Sequence, residues 1–125
     1  VIIGSKNEYS LIKNISNFTQ NSNISYFIPK NLIESLCLFK YAKLVIGGDS
    51  GNLHLASVVN QNILAIWGPT NKLKTSPKAK NIKFIDLNLH CSPCYSKYRT
   101  GCGNNICLKN IKPQLVYDTI LETLE

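Results

Sequence analysis

The sequence predicts an α/β fold: a parallel sheet covered by helices on both faces. Short apolar runs alternate with amphipathic stretches of about ten residues. The runs are continuous rather than interleaved with polar side chains, as strands buried on both faces require. Several of them end in glycine-bearing turns, as the carboxyl ends of strands do where ligands bind in such sheets.

In chain order, Val1-Ile2-Ile3-Gly4 reads as a buried strand ending in a turn. Glu8 to about Phe18 carries Tyr9, Leu11, Ile12, Ile15 and Phe18 at mostly helical spacing. Asn21 to Asn23 is a polar break. Ile24 to Ile28 forms a second strand stopped by Pro29, and Leu32 to Tyr41 is a helix with Leu32, Leu36 and Phe39 on one face. Lys43 to Ile46 is the third strand, and Asn52 to Val59 the third helix, ended by Asn60-Gln61-Asn62. Ile63 to Trp67 is the fourth strand, closed by Gly68-Pro69. After a lysine-bearing loop, Ile82 to Ile85 is a short fifth strand. Leu87 to Asn110 shows no period. Pro113 then opens a last helix running to about Leu124, with Leu115, Val116, Thr119, Ile120 and Leu124 providing a face. This is a Rossmann-like half, although the dinucleotide fingerprint G-x-G-x-x-G is absent.

The 125 residues suffice for one domain with its own core, read here as spanning 1–125. The chain has no methionine and begins inside a strand, so a preceding N-terminal portion is expected. No run approaches the length of a transmembrane helix, and nothing resembles a signal peptide. Fourteen basic against seven acidic residues give a net charge of +7, and nine of the basic residues lie between Lys72 and Lys112, where Asp86 is the one acid. Arginine occurs once, at Arg99, which is unusual for a surface that reads bases or clamps nucleic-acid phosphates. Of the five cysteines, Cys37 sits in an apolar helical pattern and reads as a small core residue.

The chemistry concentrates in Leu44 to Ala56, L-V-I-G-G-D-S-G-N-L-H-L-A. Gly47, Gly48 and Gly51 allow a tight turn and close approach to the backbone, while Ser50 can cap the helix and donate its hydroxyl to a phosphate oxygen. The helix N-terminus behind them favours an anion. Simple capping by Asp49 and Ser50 does not account for three glycines in the same turn. His54, one helical turn beyond Ser50, is either a packing residue or a contact to phosphate or sugar. A serine hydrolase reading of Gly48-Asp49-Ser50-Gly51 fails because Asn52 stands where either nucleophile pattern needs its next glycine. Gly68-Pro69-Thr70 falls on the same sheet edge, so Thr70, Lys72 and Lys74 are candidates to add a hydroxyl and positive charge to an anion site. Glu8 follows the first strand's turn. There a carboxylate either favours the helix dipole or binds a ribose.

Cys91-x2-Cys94-x7-Cys102-x4-Cys107, with Pro93, Gly101 and Gly103 supplying turns, has a spacing that four zinc ligands could use. Two disulfides, or thiols without a common ligand, are the alternatives. A basic nucleic-acid-binding module, stabilised by a metal on these four cysteines, is therefore the second functional reading, against which the single arginine counts.

Taken together, these residues resemble the C-terminal domain of glycosyltransferase family 9, the ADP-heptose:lipopolysaccharide heptosyltransferases. The likeness rests on A-K-L-V-I-G-G-D-S-G-N-L-H-L-A-S from Ala42 to Ser57 and I-L-A-I-W-G-P-T from Ile63 to Thr70, matching D-[ST]-G-x-x-H-x-A followed by a strand and G-P-T. Many members also carry a C-x-P-C pair with later cysteines. The resemblance implies the C-terminal half of a GT-B fold, with the acceptor domain and the catalytic base in a missing N-terminal part. It also implies inverting transfer of heptose from ADP-heptose to the lipopolysaccharide inner core at the cytoplasmic face of the inner membrane, with peripheral membrane association and no nucleic-acid partner. No metal is required for catalysis on this reading. Asp49, Ser50 and Gly51 would meet the donor's diphosphate and sugar, supported by His54. Glu8 would bind the ribose, Lys30 would lie beside the adenine, and Thr70 is a further contact.

Overall fold

The computed structural model describes residues 1–18, 23–94 and 102–125. The polar break beginning at Asn21, the single arginine Arg99 and the turn residue Gly101 lie outside the described residues. The chain divides into two compact units, Val1–Leu38 and Phe39–Glu125.

In the first unit, β1 (Ile2–Ile3) pairs in parallel with β2 (Tyr26–Phe27). A 3-10 turn, Lys6–Glu8, leads into α1 (Tyr9–Phe18). Ile12 is the buried residue of α1, and its side chain fills the space over Gly4 that a Cβ would need. Tyr9 and Tyr26 meet edge to face, with ring centroids 5.8 Å apart. Both strands are shorter than the sequence predicts, because the parallel register covers only two residue pairs. The helix α2 (Leu32–Tyr41) spans the boundary between the units and matches its expected limits. Its start is capped by the Asn31 side chain, which accepts from the Glu34 N–H at 3.0 Å.

The second unit holds a three-stranded parallel sheet in the order β3-β4-β5, formed by β3 (Val45–Gly48), β4 (Asn62–Ile66) and β5 (Asn81–Ile85). The middle strand is the core. Ile63, Leu64 and Ala65 are consecutive and each 0% exposed, so both faces of β4 are covered, as its unbroken apolar run predicts. α3 (Gly51–Val59) follows β3 and buries Leu53 and Ala56. Asn60 then makes the return to β4: its side-chain amide donates to the carbonyls of Phe39 at 2.6 Å and Ala42 at 2.7 Å, and its side-chain oxygen accepts from the Asn62 N–H at 2.8 Å. A buried amide satisfied on three sides specifies this connection.

Three differences from the sequence reading have identifiable causes. β3 starts and ends two residues later than expected, at Val45 and Gly48, because Gly47 and Gly48 pair in register with Ala65 and Ile66. The lysine-bearing loop contains a single helical turn, α4 (Lys72–Thr75), capped by Asn71, and the stretch without a period contains another, α5 (Ile106–Lys109). Four residues are too few to show a period. Cys37 is exposed rather than part of the core. Ser35 and Phe39 are the buried positions of α2, and a residue midway between them points to the opposite side of a 3.6-residue helix. The last helix, α6 (Pro113–Leu124), starts at Pro113 as expected. Among the described residues no helix is long and apolar enough to cross a membrane.

Candidate functional site

Where β3 gives way to α3, the backbone of Ser50 is extended, with φ −154° and ψ 157°, and its hydroxyl oxygen accepts from the Leu53 N–H at 3.4 Å. Ser50 is thus the N-cap of α3. Helix geometry leaves the first-turn N–H groups of Gly51 and Asn52 without an acceptor inside the helix, and both residues are exposed. Among the described residues, nothing beyond the neighbouring residues and the helix's own backbone lies within 4 Å of the position a Cβ on Gly51 would take. The start of α3 is open.

The Asp49 carboxylate lies beside this opening and serves no cap. Its Oδ1 is 3.9 Å from His54 Nε2, and its Oδ2 accepts from the Thr75 hydroxyl at 3.5 Å. The helical offset between Ser50 and His54 brings the imidazole back over the turn. Thr75 comes from α4, so the loop beyond β4 reaches Asp49 as well. Its hydroxyl also bonds the Asn71 carbonyl at 3.1 Å. Asp49, Ser50, Gly51 and His54 therefore form one exposed group, joined by Thr75, which the sequence reading does not single out. No local pattern marks Thr75, since its contact to Asp49 spans 26 positions.

Thr70 lies in the turn that closes β4. The Trp67 indole N–H donates to the Thr70 carbonyl at 3.1 Å, and the Trp67 ring, 2% exposed, packs edge-on against Phe84. The Thr70 hydroxyl oxygen is buried and has no hydrogen-bond partner among the described residues. Such an atom is uncompensated until something bonds it, which makes Thr70 a candidate contact in its own right. Beyond it, Lys72 is committed to Asp86 in a close ion pair and lies over the Phe84 ring at 5.9 Å. Lys72 is therefore not a free positive charge for the anion.

Glu8 and Lys30 lie in the first unit. The Glu8 carboxylate accepts from both the N–H and the hydroxyl of Ser5, at 2.8 and 2.7 Å, in a capping box. The Ser5 backbone N–H, and then its hydroxyl, hold the Glu8 carboxyl below the usual carboxylate range. The backbone N–H of Lys30 donates to Glu34 at 2.8 Å, and the Lys30 residue is exposed.

The cysteine segment is attached to the Gly68-Pro69 turn. The Ser92 hydroxyl donates to the Gly68 carbonyl at 2.6 Å, and the Cys94 N–H to the Pro69 carbonyl at 2.9 Å. Cys107 is buried at the start of α5, and burial pushes its thiol up, with Cys94, Cys102 and Cys91 adding to the shift. Backbone N–H groups of Asn105 and Asn104 stabilise the Cys102 thiolate and hold that thiol below the usual range. Among the described residues, no group of three or more His, Cys, Asp or Glu side chains is placed to hold a metal ion.

A Rossmann-like α/β chain with an open helix N-terminus and an exposed carboxylate at a strand end defines a class of ligand-binding domain. The comparisons with known proteins make this specific. The model of glycosyltransferase family 9 (heptosyltransferase) matches residues 3–101, and the chain belongs to this family. It is 34% identical over 103 residues to lipooligosaccharide heptosyltransferase 2 of Campylobacter jejuni subsp. jejuni serotype O:6, covering 81% of this chain and 32% of the relative. The protein of the same name from serotype O:2 is 35% identical over 101 residues, covering 79% of this chain and 31% of the relative. That of Haemophilus influenzae is 32% identical over 100 residues, covering 75% of this chain and 27% of the relative. The chain thus spans about a third of the length of these relatives. No solved structure gives a significant match.

Proposed function

We propose that this chain is the donor-binding part of an inverting heptosyltransferase that moves a heptose from ADP-heptose to the lipopolysaccharide inner core. The observation that carries the reading is the Asp49 carboxylate, left exposed between His54 and Thr75 beside the uncapped amides of α3. A carboxylate in that position accepts hydrogen bonds from sugar hydroxyls. The Gly51 and Asn52 amides and the helix dipole favour the adjoining diphosphate. The buried, unpartnered Thr70 hydroxyl is a further donor. By the family resemblance, Glu8 takes the ribose and Lys30 lies beside the adenine.

In the transfer, the acceptor hydroxyl oxygen bonds to the anomeric carbon as the bond to the diphosphate breaks. A carboxylate base in a preceding domain takes the acceptor's proton, and no metal or other cofactor is required. ADP departs with the bond's electrons, and the first-turn amides of α3 stabilise its growing charge. On this reading the protein works at the cytoplasmic face of the inner membrane, with peripheral association.

The test is calorimetric titration of ADP and ADP-heptose into the full-length protein and into Asp49→Ala and Glu8→Ala variants. Asp49→Ala is expected to weaken ADP-heptose at least tenfold and ADP less, because the carboxylate addresses the sugar. Unchanged affinity in both variants would overturn the site assignment.

A further inference from the structure

α4 follows the middle strand of the three-stranded sheet, yet it is tied to the carboxyl ends of both outer strands. At its start, Lys72 pairs closely with Asp86, just past β5, and lies over the Phe84 ring at 5.9 Å. At its end, the Thr75 hydroxyl lies 3.5 Å from Asp49 Oδ2, just past β3. The same hydroxyl is 3.1 Å from the Asn71 carbonyl, and with one proton it serves one of these acceptors at a time. The Asn71 carbonyl already accepts from the backbone N–H groups of Lys74 and Thr75, each at 2.9 Å, which occupies both its lone pairs. The Asn71 side chain caps α4 by accepting from the Leu73 N–H at 3.0 Å. The helical turn is therefore complete without the hydroxyl, and a charged carboxylate is a stronger acceptor than a carbonyl already bonded twice. The proton goes to Asp49.

We propose, resting on the donor-site reading of Asp49, that Thr75 is a positioning residue for the sugar of the nucleotide-sugar donor. Its hydroxyl fixes Oδ2 of the Asp49 carboxylate, while Oδ1 faces His54 Nε2 at 3.9 Å, so the group no longer turns freely about its Cβ–Cγ bond. A carboxylate has about four lone-pair sites, and one bond from Thr75 leaves room for the sugar hydroxyls. Thr75 acts through Asp49 and not on the sugar itself. The carboxylate is ordered before the donor arrives, which favours binding. Lys72 and Asp86 anchor the other end of the same turn and keep Thr75 within reach.

The experiment titrates ADP-heptose and ADP, by calorimetry, into the full-length protein and its Thr75→Val, Thr75→Ser, Asp49→Ala and Asp49→Ala/Thr75→Val variants. Thr75 is exposed, so valine keeps the shape of the side chain and removes only the hydroxyl. Thr75→Val is expected to weaken ADP-heptose about fivefold, the loss of one modest hydrogen bond, and to leave ADP within about twofold. Thr75→Ser should restore the affinity. In the Asp49→Ala background, Thr75→Val should cost nothing more, because the group it orients is gone. Equal losses for ADP and ADP-heptose, additive losses in the double variant, or a serine that fails to rescue would each overturn the role. So would a silent Thr75→Val beside a damaging Asp49→Ala, which leaves the donor site standing. A silent Asp49→Ala overturns the donor-site reading and the role of Thr75 with it.

Discussion

The turns Gly4–Glu8 and Gly48–Gly51 are built from nearly the same residue types: glycine, serine and an acid between a strand and a helix. In the first, serine precedes the acid by three residues, so Glu8 folds back onto the Ser5 N–H and hydroxyl and serves its own backbone. In the second, the acid precedes the serine. Asp49 cannot reach back into the helix it precedes, Ser50 does the capping alone, and the carboxylate is left to His54 and Thr75. The glycines differ in the same sense. Gly4 lacks a side chain because Ile12 occupies its place, whereas among the described residues nothing beyond its own turn and helix occupies the place beside Gly51. Packing explains the first glycine, and the open space beside the second is what the proposed donor site requires.

The largest effect expected from this contrast is on folding. Gly4→Ala drives a methyl into Ile12 and should destabilise the protein by about 1–3 kcal/mol, measured by urea denaturation. A change within about 0.5 kcal/mol would show that Ile12 moves aside freely and would erase the distinction. Gly51→Ala should do the reverse: stability unchanged within about 0.5 kcal/mol, since the site is open and alanine suits a helix, but ADP affinity down about tenfold, or about 1.4 kcal/mol. Paired denaturation and titration of this one variant read both quantities. Normal ADP binding by a stable Gly51→Ala would remove the ligand from the start of α3.

The smallest effect concerns acid. Because the folded Glu8 carboxyl lies below its unfolded value, its contribution to stability is fully present above the unfolded pKa, roughly pH 4.3, and is lost as pH falls through the folded value. Glu8→Gln should remove that segment of the acid dependence without altering the rest. Following the Ser5 amide resonance from pH 6 to 2 tests this, and a midpoint at or above the unfolded value would contradict the capping box as the cause.

What is legible in the sequence follows the range of the interactions. α2 is readable to the residue because ten positions carry a period and caps are local, and Pro113 marks the start of α6. β3 runs two residues past its expected end because that end is fixed by pairing with β4, a distant segment. The central turn is legible because glycine, acid and serine act through backbone geometry nearby. Thr75 is not, since its hydroxyl matters only once β4 has returned the chain to Asp49. The S-x-x-E pattern of Ser5 and Glu8 is present, yet the sequence alone leaves dipole and ribose as Glu8's alternatives; the structure shows the carboxylate engaged by Ser5.

Trp67 is the only tryptophan in the chain. Its indole is buried against Phe84, with its N–H on the carbonyl of Thr70, the residue whose own hydroxyl lacks a partner among the described residues. The chain therefore has a single indole fluorophore wired to the β4 turn. If the proposed donor takes the Thr70 hydroxyl, the indole bonded to the carbonyl of the same residue is the expected reporter, read as a change in emission of the unlabelled protein on titration with ADP-heptose.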